Sequence, residues 1–566
     1  MVIQGKSGQL SPSGGRVDGD YYDLGTLTRP VTTSSAEAQR WFDRGLVWTY
    51  AFHHEEAIAC FEAAVAADPD CAMAHWGIAY ALGPNYNKPW DAFDAEETTR
   101  AVDRAHTAVE HAHRTAAEHA TPVERALIAA LRARYPQPDA VADCSVWNEP
   151  YADAMRAAYD LAPDDPDVAT LYADALMNLT PWQLWDITTG EPAPGSRTVE
   201  AKAVLDRALA TEDGARHPGI LHLYIHLMEM SPDPERALTV ADRLRDLVPD
   251  AGHLQHMPSH LDVLCGDYRR VVAANTDAVA ADEKYRERAG AMNFYTLYRV
   301  HNHHFRIYGA MFLGQSRTAL EAADALEAAI PEELLRVQSP PMADWLESFV
   351  AMRVHVLIRF GRWADILDLP LPADRDLYRV TTAMLRYARG VALSATGRTD
   401  EAEAERELFR EALAQVPESR TLFNNRSVDI LAVAAAMLDG ELAYRNGEYD
   451  TAFAALRRSV ELDDSLPYDE PWGWMQPTRH AYGALLLEQG HVTEAEAVYR
   501  ADLGLDDSLP RALQHPGNVW SLHGFHECLH RQGKTAEARI VAQQLKIAAA
   551  LADVPVEASC FCRGAS

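Results

Sequence analysis

Two pairs of histidines have the spacing at which a helix can offer two ligands to one metal ion. His222 and His226 are four residues apart, and so are His256 and His260. Residues i and i+4 lie on one face of an α-helix about one turn apart, so both imidazoles of a pair can reach the same ion. The two pairs are also 34 residues apart. We therefore predict a metal site built from these two segments.

More histidines lie close by in the sequence. His253 begins the stretch His-Leu-Gln-His-Met-Pro-Ser-His, and His301 and His304 lie in a third segment. Neutral imidazole suits copper, iron, zinc and nickel, and a set this poor in carboxylates differs from the Glu-rich di-iron bundles. The set could hold two coppers, or one ion plus groups for proton transfer. We expect copper first, then iron or zinc.

The segments that carry these histidines belong to an internal repeat. Small residues recur twelve positions apart, in Gly390 with Ala402, Gly440 with Ala452 and Gly483 with Ala495. Small residues let two helices approach closely, and a proline can end the second helix. The fullest copy of the repeat contains Trp41, Gly45, Trp48, Ala57, Phe61, Ala64 and Pro69.

This pattern resembles the tetratricopeptide repeat (TPR) family. The resemblance implies an all-α, right-handed solenoid of helical hairpins, which can close on itself, with a concave groove lined by the first helix of each hairpin. Positions 2, 5 and 9 of that helix face the groove, and in three successive repeats seven of these nine positions are histidine. The groove-facing residues are Gly219, His222, His226, Glu229, His253, His256, His260, His301, His304 and Tyr308.

The resemblance also suggests where protons are handled. Glu229 is the nearest carboxylate by register, and could be a ligand, a partner that orients an imidazole, or a general base. Tyr308 is the second catalytic candidate, and Tyr224 and Asp174 are weaker candidates for the pocket wall. Pro258 is favourable only in the first turn of a helix, so His253 is expected in the turn before that helix, and His256 either in this turn or at the start of the helix.

Three insertions interrupt the repeat, and each contains Pro-Trp: Pro89-Trp90, Pro181-Trp182 and Pro471-Trp472. Proline and glycine around them indicate irregular loops. One interpretation is that their tryptophans fill gaps between hairpins. The other is that the loops cover the groove and make a closed pocket, which a solenoid that only binds peptides would not need.

The predicted organisation has six parts. They are an irregular tail (1–34), the first hairpins (35–100), irregular helical repeats with a Pro-Trp loop (101–216), the histidine-rich hairpins (217–345), the C-terminal hairpins (346–548) and a tail with Cys-x-Cys (549–566). The stretch His-Met-Pro-Ser-His, together with Ala74-His75-Trp76-Gly77, is similar to a group of bacterial TPR proteins for which we assign no role.

Composition excludes some functions. The 566 residues include 83 acidic and 52 basic ones, for a formal net charge of −31, which argues against nucleic acid as a partner. We find no secretory signal in the first thirty residues and no apolar stretch of bilayer length, so we expect no membrane partner and a cytoplasmic location. Seven cysteines do not suggest a disulfide framework.

Other residues could join the metal site. His54, His75, His480 and His523 are each better explained as packed or solvent-facing side chains. Two thiols at the C-terminal end would point the same way in an extended chain and could bind a soft ion such as Cu(I). The simpler interpretation is two idle thiols, those of Cys560 and Cys562.

Three functional hypotheses remain open. The first is a metal-dependent oxidoreductase acting on a small molecule held in the groove. The second is a scaffold that binds a peptide or a partner protein in the groove, the usual role of TPR arrays. The third is metal storage or delivery with the same histidines. Fold alone does not decide between them.

Overall fold

The computed structural model describes residues 21–563, except for the side chain of Glu118. Its α-helices are α1 (Ala36–Tyr50), α2 (His54–Ala67), α3 (Ala72–Ala81), α4 (Ala95–His119), α5 (Pro122–Arg134), α6 (Asn148–Leu161), α7 (Pro166–Met177), α8 (Thr198–Leu209), α9 (Pro218–Glu229), α10 (Leu238–Leu244), α11 (Gly252–His256), α12 (Pro258–Leu264), α13 (Tyr268–Ala289), α14 (Thr296–Phe312), α15 (Ser316–Ala329), α16 (Glu332–Leu335), α17 (Met342–Leu346), α18 (Met352–Arg359), α19 (Trp363–Asp368), α20 (Arg379–Ala395), α21 (Thr399–Leu413), α22 (Ser427–Arg445), α23 (Tyr449–Asp464), α24 (Thr478–Glu488), α25 (Val492–Asp502), α26 (Val519–Arg531) and α27 (Thr535–Ala549).

Other regular elements are short. The strands β1 (Thr421–Leu422) and β2 (Asn425–Arg426) form one antiparallel hairpin. Six 3₁₀ helices span Trp90–Ala92, Cys144–Trp147, Gly214–Arg216, Pro234–Ala237, Glu347–Ala351 and Arg511–Leu513. Consecutive helices pack against each other along the chain, as in α1 with α2, α22 with α23 and α26 with α27. The predicted all-α, TPR-like array of helical hairpins is therefore confirmed.

The small residues of the repeat do what the sequence pattern predicts. A Cβ added to Gly45 would lie 2.7 Å from the ring of Phe61, which belongs to the second helix of the same hairpin. A Cβ added to Gly440 would lie 2.7 Å from Leu456 in the same way. Contacts this short are not tolerated, so glycine is what lets the paired helices approach.

The histidine-rich segment uses three helical pieces. Helix α9 begins at Pro218, where the missing N–H is no loss, and the ring of His217 accepts a hydrogen bond from the N–H of Ile220. Proline also divides the next segment, because α11 ends at His256 and α12 begins at Pro258. His253 and His256 therefore lie in a short helix of their own rather than in a turn.

Buried apolar residues form two large clusters, one from Leu24 to Tyr298 and one from Met230 to Cys562. Trp182 and Trp185 pack against both clusters. The clusters overlap in sequence between α10 and α14. The histidine-rich helices therefore lie where the two halves of the molecule meet.

The C-terminal segment packs on the repeats. Asp553 accepts a hydrogen bond of 2.7 Å from the N–H of Ser316, and Cys560 and Cys562 form a disulfide that the sequence did not predict. Both cysteines are buried, so the idea of idle thiols at a frayed end is wrong for this segment. Among the helices formed by residues 21–563, none combines the length and apolar character needed to cross a bilayer.

Candidate metal centre

One face of α9 begins the site. His222, His226 and Glu229 follow the i, i+4, i+7 spacing, so their side chains project from the same side of the helix. None of the three is more than 1% exposed. Polar groups buried this completely need partners, and a charged group needs them most.

Helices α11, α12 and α14 supply the remaining imidazoles. Two groups of three histidines result, and in each group one nitrogen per ring lies within 4.8 Å of the others. The rings of His226 and His260 are 5.6 Å apart between centroids, so the two groups are neighbours. The groups are His222, His226 and His253, and His256, His260 and His301.

Partners on the far side of each ring fix the tautomer of two histidines. The Nδ1 of His222 lies 2.6 Å from the carbonyl oxygen of Tyr50, which can only accept, so this nitrogen carries the proton. The Nδ1 of His256 lies 2.7 Å from Oδ1 of Asn275. The amide nitrogen of Asn275 donates to the carbonyl of Val271 at 2.8 Å, which fixes the orientation of the amide.

The carboxyl group of Glu229 lies behind two more rings and can accept from their Nδ1–H groups. Its Oε1 lies 3.0 Å from Nδ1 of His226, and its Oε2 lies 2.8 Å from Nδ1 of His260. Glu470, from the loop between α23 and α24, also contacts Nδ1 of His260 and accepts a hydrogen bond from the hydroxyl of Tyr468. A carboxylate, carbonyl or amide oxygen behind the ring is the usual arrangement for a metal-binding histidine.

The Nε2 atoms of these four rings therefore carry lone pairs that point into the interior. The Nε2 atoms of His256 and His260 are 2.7 Å apart, although neither carries a proton that it could donate. The Nε2 of His226 has no hydrogen-bond partner within residues 21–563. Facing lone pairs repel each other, so this arrangement favours a cation between them, either a proton or a metal ion.

Burial disfavours a proton between these nitrogens. Desolvation lowers the pKa of His222 to about 3 and that of His256 to about 4, although the hydrogen bond that His256 donates to Asn275 opposes the second shift. The pKa values of His226 and His260 are held well below the ordinary range by burial and by the neighbouring histidines. Neutral imidazoles at neutral pH are the form that binds a metal ion, so these residues fit one.

The two carboxyl groups beside the histidines influence each other. Burial raises the pKa of Glu229 well above its ordinary value, and the nearby carboxyl of Glu470 raises it further. Burial likewise raises the pKa of Glu470 to about 8. Two carboxyls in contact are expected to share one proton, which leaves oxygens free to accept from the ring N–H groups.

Strained aromatic residues surround the histidines. In the described chain, four residues other than glycine have positive φ, and three of them are Phe52 (55°), Trp182 (59°) and Phe423 (48°). The ring of Phe52 lies 4.4 Å from that of His222, Trp182 lies 5.8 Å from His226, and Phe423 lies 4.8 Å from His301. Positive φ is unfavourable for bulky side chains and is concentrated at functional sites.

A cavity of about 330 Å³ opens beside the second histidine group. Its wall includes His260, His301 and Glu470, so a small molecule in it would reach the histidines. All three Pro-Trp insertions contribute, through Pro89, Trp182 and the glutamate that precedes Pro471. This is the pocket-forming role that the sequence suggested for the insertions.

No protein-family model and no curated protein matches the sequence. The fold is similar to a chain in the crystal structure of the APC/C hetero-tetramer Cut9–Hcn1, at 14% sequence identity and a TM-score of 0.31, over 86% of this chain and 77% of that one. It is also similar to a chain in the structure of Naa15/Naa10 bound to HypK-THB, at 14% identity and a TM-score of 0.21, over 90% and 70%. Similarities of this size carry no conclusion about function.

Two of the predicted site residues lie apart from the histidine groups. The Nε2 of His304 is 2.7 Å from Sδ of Met475, and its ring packs against Phe349. Tyr308 packs against Phe312 and lines a separate small cavity with Trp472. On the same helix His304 lies about 4.5 Å and Tyr308 about 10 Å beyond His301 along the axis, so both reach other neighbours.

The weaker candidates have other partners. The hydroxyl of Tyr224 donates to Asp206, and Asp174 accepts from Tyr80. His480 pairs with Asp502, while His75 contacts the carbonyl of Pro69.

The remaining candidates also lie elsewhere. His54 is near Asn85 in a different cavity, and His523 is half-buried on α26. Ser559, next to Cys560, bonds to the carbonyl of His480 at 2.7 Å, which places the Cys-x-Cys segment against the C-terminal repeats.

Sequence reasoning missed the residues that hold the histidines in place. Glu470 comes from a distant loop, Asn275 comes from α13, which packs against α11 and α12, and Phe52 lies in the turn after α1. Register within one repeat cannot reveal partners contributed by distant ones. The one available signal was position, since Glu470 immediately precedes a Pro-Trp insertion that one of the two interpretations placed over the groove.

Proposed function

We propose that this protein is a metal-dependent oxidoreductase that binds one or two transition-metal ions in its two three-histidine groups and acts on a small molecule. The observation that carries the proposal is the contact between Nε2 of His256 and Nε2 of His260, 2.7 Å apart with both ring protons held elsewhere. Imidazole nitrogens bound to one ion at about 2.0–2.1 Å lie roughly 3 to 4 Å apart, so a small adjustment suffices to bind a metal.

Copper is the first candidate, followed by iron and zinc. Ligand sets of neutral imidazole suit all three ions, and among divalent first-row metals copper has the highest affinity for such a site. Copper and iron exchange electrons at such a site, whereas zinc does not. His222, His226, His253, His256, His260 and His301 would hold the metal, with Glu229 placed to orient two of them and to hold a proton.

Burial supports this proposal over a peptide-binding groove. Each of these six histidines is at most 8% exposed, so a peptide could not reach them without displacing the surrounding chain. The adjoining cavity supports an enzyme over a metal store, because storage requires no space for a small molecule beside the ligands. A scaffold role on another surface would be the remaining function if no metal binds.

The test is metal analysis of full-length protein purified without a histidine tag. We expect one or two equivalents of copper, iron or zinc per chain, and loss of that metal in the His256→Ala/His260→Ala variant. The matched control is His526→Ala/His530→Ala, which removes another i, i+4 pair, with rings 4.6 Å apart, from the more exposed helix α26. This control should retain the full metal content.

Redox activity is then measured on the metal-loaded protein. A copper or iron protein should show a visible absorption or electron paramagnetic resonance signal that changes on reduction and reoxidation by oxygen. Metal-free wild-type protein of normal stability, after growth with added copper, iron and zinc, would contradict the proposal. Stoichiometric metal that never changes oxidation state would contradict only its oxidoreductase part.

A further inference from the structure

The walls of the cavity beside the second histidine group are largely aromatic. Five aromatic rings line it, and two of them belong to residues held at positive φ. Phe294 and Trp345 pack edge to face, with centroids 5.8 Å apart. Such walls favour a flat or apolar ligand, and their ring faces also attract a cation. The five aromatic residues are Trp182, Phe294, Tyr298, Trp345 and Phe423.

The wall offers several hydrogen-bond acceptors. Three carboxyl groups line the cavity, those of Asp91, Asp469 and Glu470, and Asp91 is exposed at its edge. The side-chain oxygen of Asn87 is buried and has no hydrogen-bond partner in the described part of the chain. A buried acceptor without a donor is unfavourable, so a ligand that donates here is favoured.

The lysine in the wall does not give the cavity an unpaired positive charge. Lys88 is paired with Glu97, and its ammonium group lies 4.1 Å from the centre of the Phe294 ring. Its charge is therefore already compensated, and it offers no free positive charge to a carboxylate or a phosphate. An anionic ligand would lie beside the Asp91 carboxylate without an unpaired lysine or arginine in the wall to balance it.

We infer that the cavity binds a small aromatic or apolar amine as the substrate of the centre. That the amine is a substrate rests on the proposed function, whereas its binding depends only on the cavity. The ammonium or amino group would donate to the acceptors, and the apolar part would pack between the rings. A volume of about 330 Å³ is at the small end for ligand pockets, which limits the amine to a small molecule.

The test compares three probes of nearly equal size: 2-phenylethylamine, 2-phenylethanol and phenylacetate. Binding to the full-length protein is measured by isothermal titration calorimetry at pH 7, both before and after metal removal by chelation. We expect the amine to bind at least tenfold more tightly than phenylacetate, with the alcohol between them. Equal or tighter binding of phenylacetate, or no binding of the amine, overturns the inference.

Two variants test whether side chains of the cavity wall cause the preference for the amine. Asp91→Asn should weaken the amine several-fold and leave the alcohol unchanged, whereas Trp345→Leu should weaken both. Asp160→Asn, which removes an exposed carboxylate on α6 outside the cavity, should change neither. An amine preference that is unaltered in Asp91→Asn would show that this carboxylate does not select the ligand and would overturn its role.

The two proposals fail separately. Protein that takes up metal but prefers phenylacetate retains the proposed oxidoreductase function and loses the amine as its substrate class. Protein that binds the amine but takes up no metal retains the ligand site and loses the function. Measuring binding in the chelated protein makes this separation possible.

Discussion

Two histidine clusters in the described part of the chain differ in what faces their ring nitrogens. In the C-terminal cluster, Asp502 accepts hydrogen bonds from Nε2 of His480 at 3.1 Å and from Nδ1 of His515 at 2.9 Å. The other nitrogen of His480 lies 2.9 Å from the guanidinium of Arg359, which can only donate. In the candidate metal centre, by contrast, oxygens lie at the Nδ1 atoms of His222, His226, His256 and His260, and the Nε2 atoms of His256 and His260 face one another.

This difference separates a structural cluster from a ligand set. Burial alone would raise the pKa of Asp502, but His480 and His515 lower it well below its ordinary value, so a carboxylate balances the donors. Every ring nitrogen of His480 is satisfied within the fold. His256 and His260, by contrast, direct Nε2 atoms at each other, which is the arrangement that a bound cation would satisfy.

The largest expected effect comes from breaking the structural cluster. Asp502→Ala removes the acceptor of His480, His515, Asn518 and Ser521. Buried donors left without a carboxylate should cost about 3–5 kcal/mol of unfolding free energy, measured by urea denaturation. Metal content per folded chain should stay at the wild-type value. Loss of metal together with stability would show that the two clusters are not independent.

A second prediction concerns the replacement of one buried asparagine by alanine in each cluster. Asn275→Ala removes the acceptor that fixes the tautomer of His256 and should weaken metal binding about 10–100-fold, measured by competition with a chelator. Asn518→Ala is the matched control, because this fully buried asparagine donates to Asp502 at 2.9 Å. It should lower stability and leave metal affinity unchanged. Equal affinities in the two variants would contradict the role given to Asn275.

The fold and part of the centre were accessible from the sequence because both depend on local spacing. Gly45 with Phe61 shows that small residues at fixed offsets set the approach of paired helices. His222 with His226 is likewise a feature of one helix. Glu470 is 241 positions after Glu229, yet both contact His260. No repeat register specifies such a contact, because an irregular loop delivers it.

The conformations of Phe52, Trp182 and Phe423 were equally inaccessible. No local propensity predicts positive φ for a bulky aromatic residue, and the surrounding tertiary packing imposes it. Periodicity also placed His304 with the metal ligands, since it treats a stripe of the helix as one surface. His304 lies about 4.5 Å beyond His301 along the helix axis, where Met475 and Phe349 are its neighbours.

The smallest effect tests the premise shared by both clusters, that burial alone keeps an imidazole neutral. His355 is 1% exposed, packs against Trp474, and has its pKa lowered to about 3 by burial. The unfolded chain takes up a proton as the pH falls below about 6.5 and the folded chain does not, so stability is lost in that window as the pH falls.

In chelated protein, His355→Leu should remove this contribution. The loss of unfolding free energy between pH 6 and pH 5 should be smaller than in the wild type by about 1.4 kcal/mol, since one site contributes that much per pH unit. Urea denaturation at pH 7, 6 and 5 measures the slope, and His526→Ala on α26 serves as the control. A variant with the wild-type slope would mean that buried rings here are protonated in the folded chain. A proton between His256 and His260 would then become as good an explanation as a metal ion.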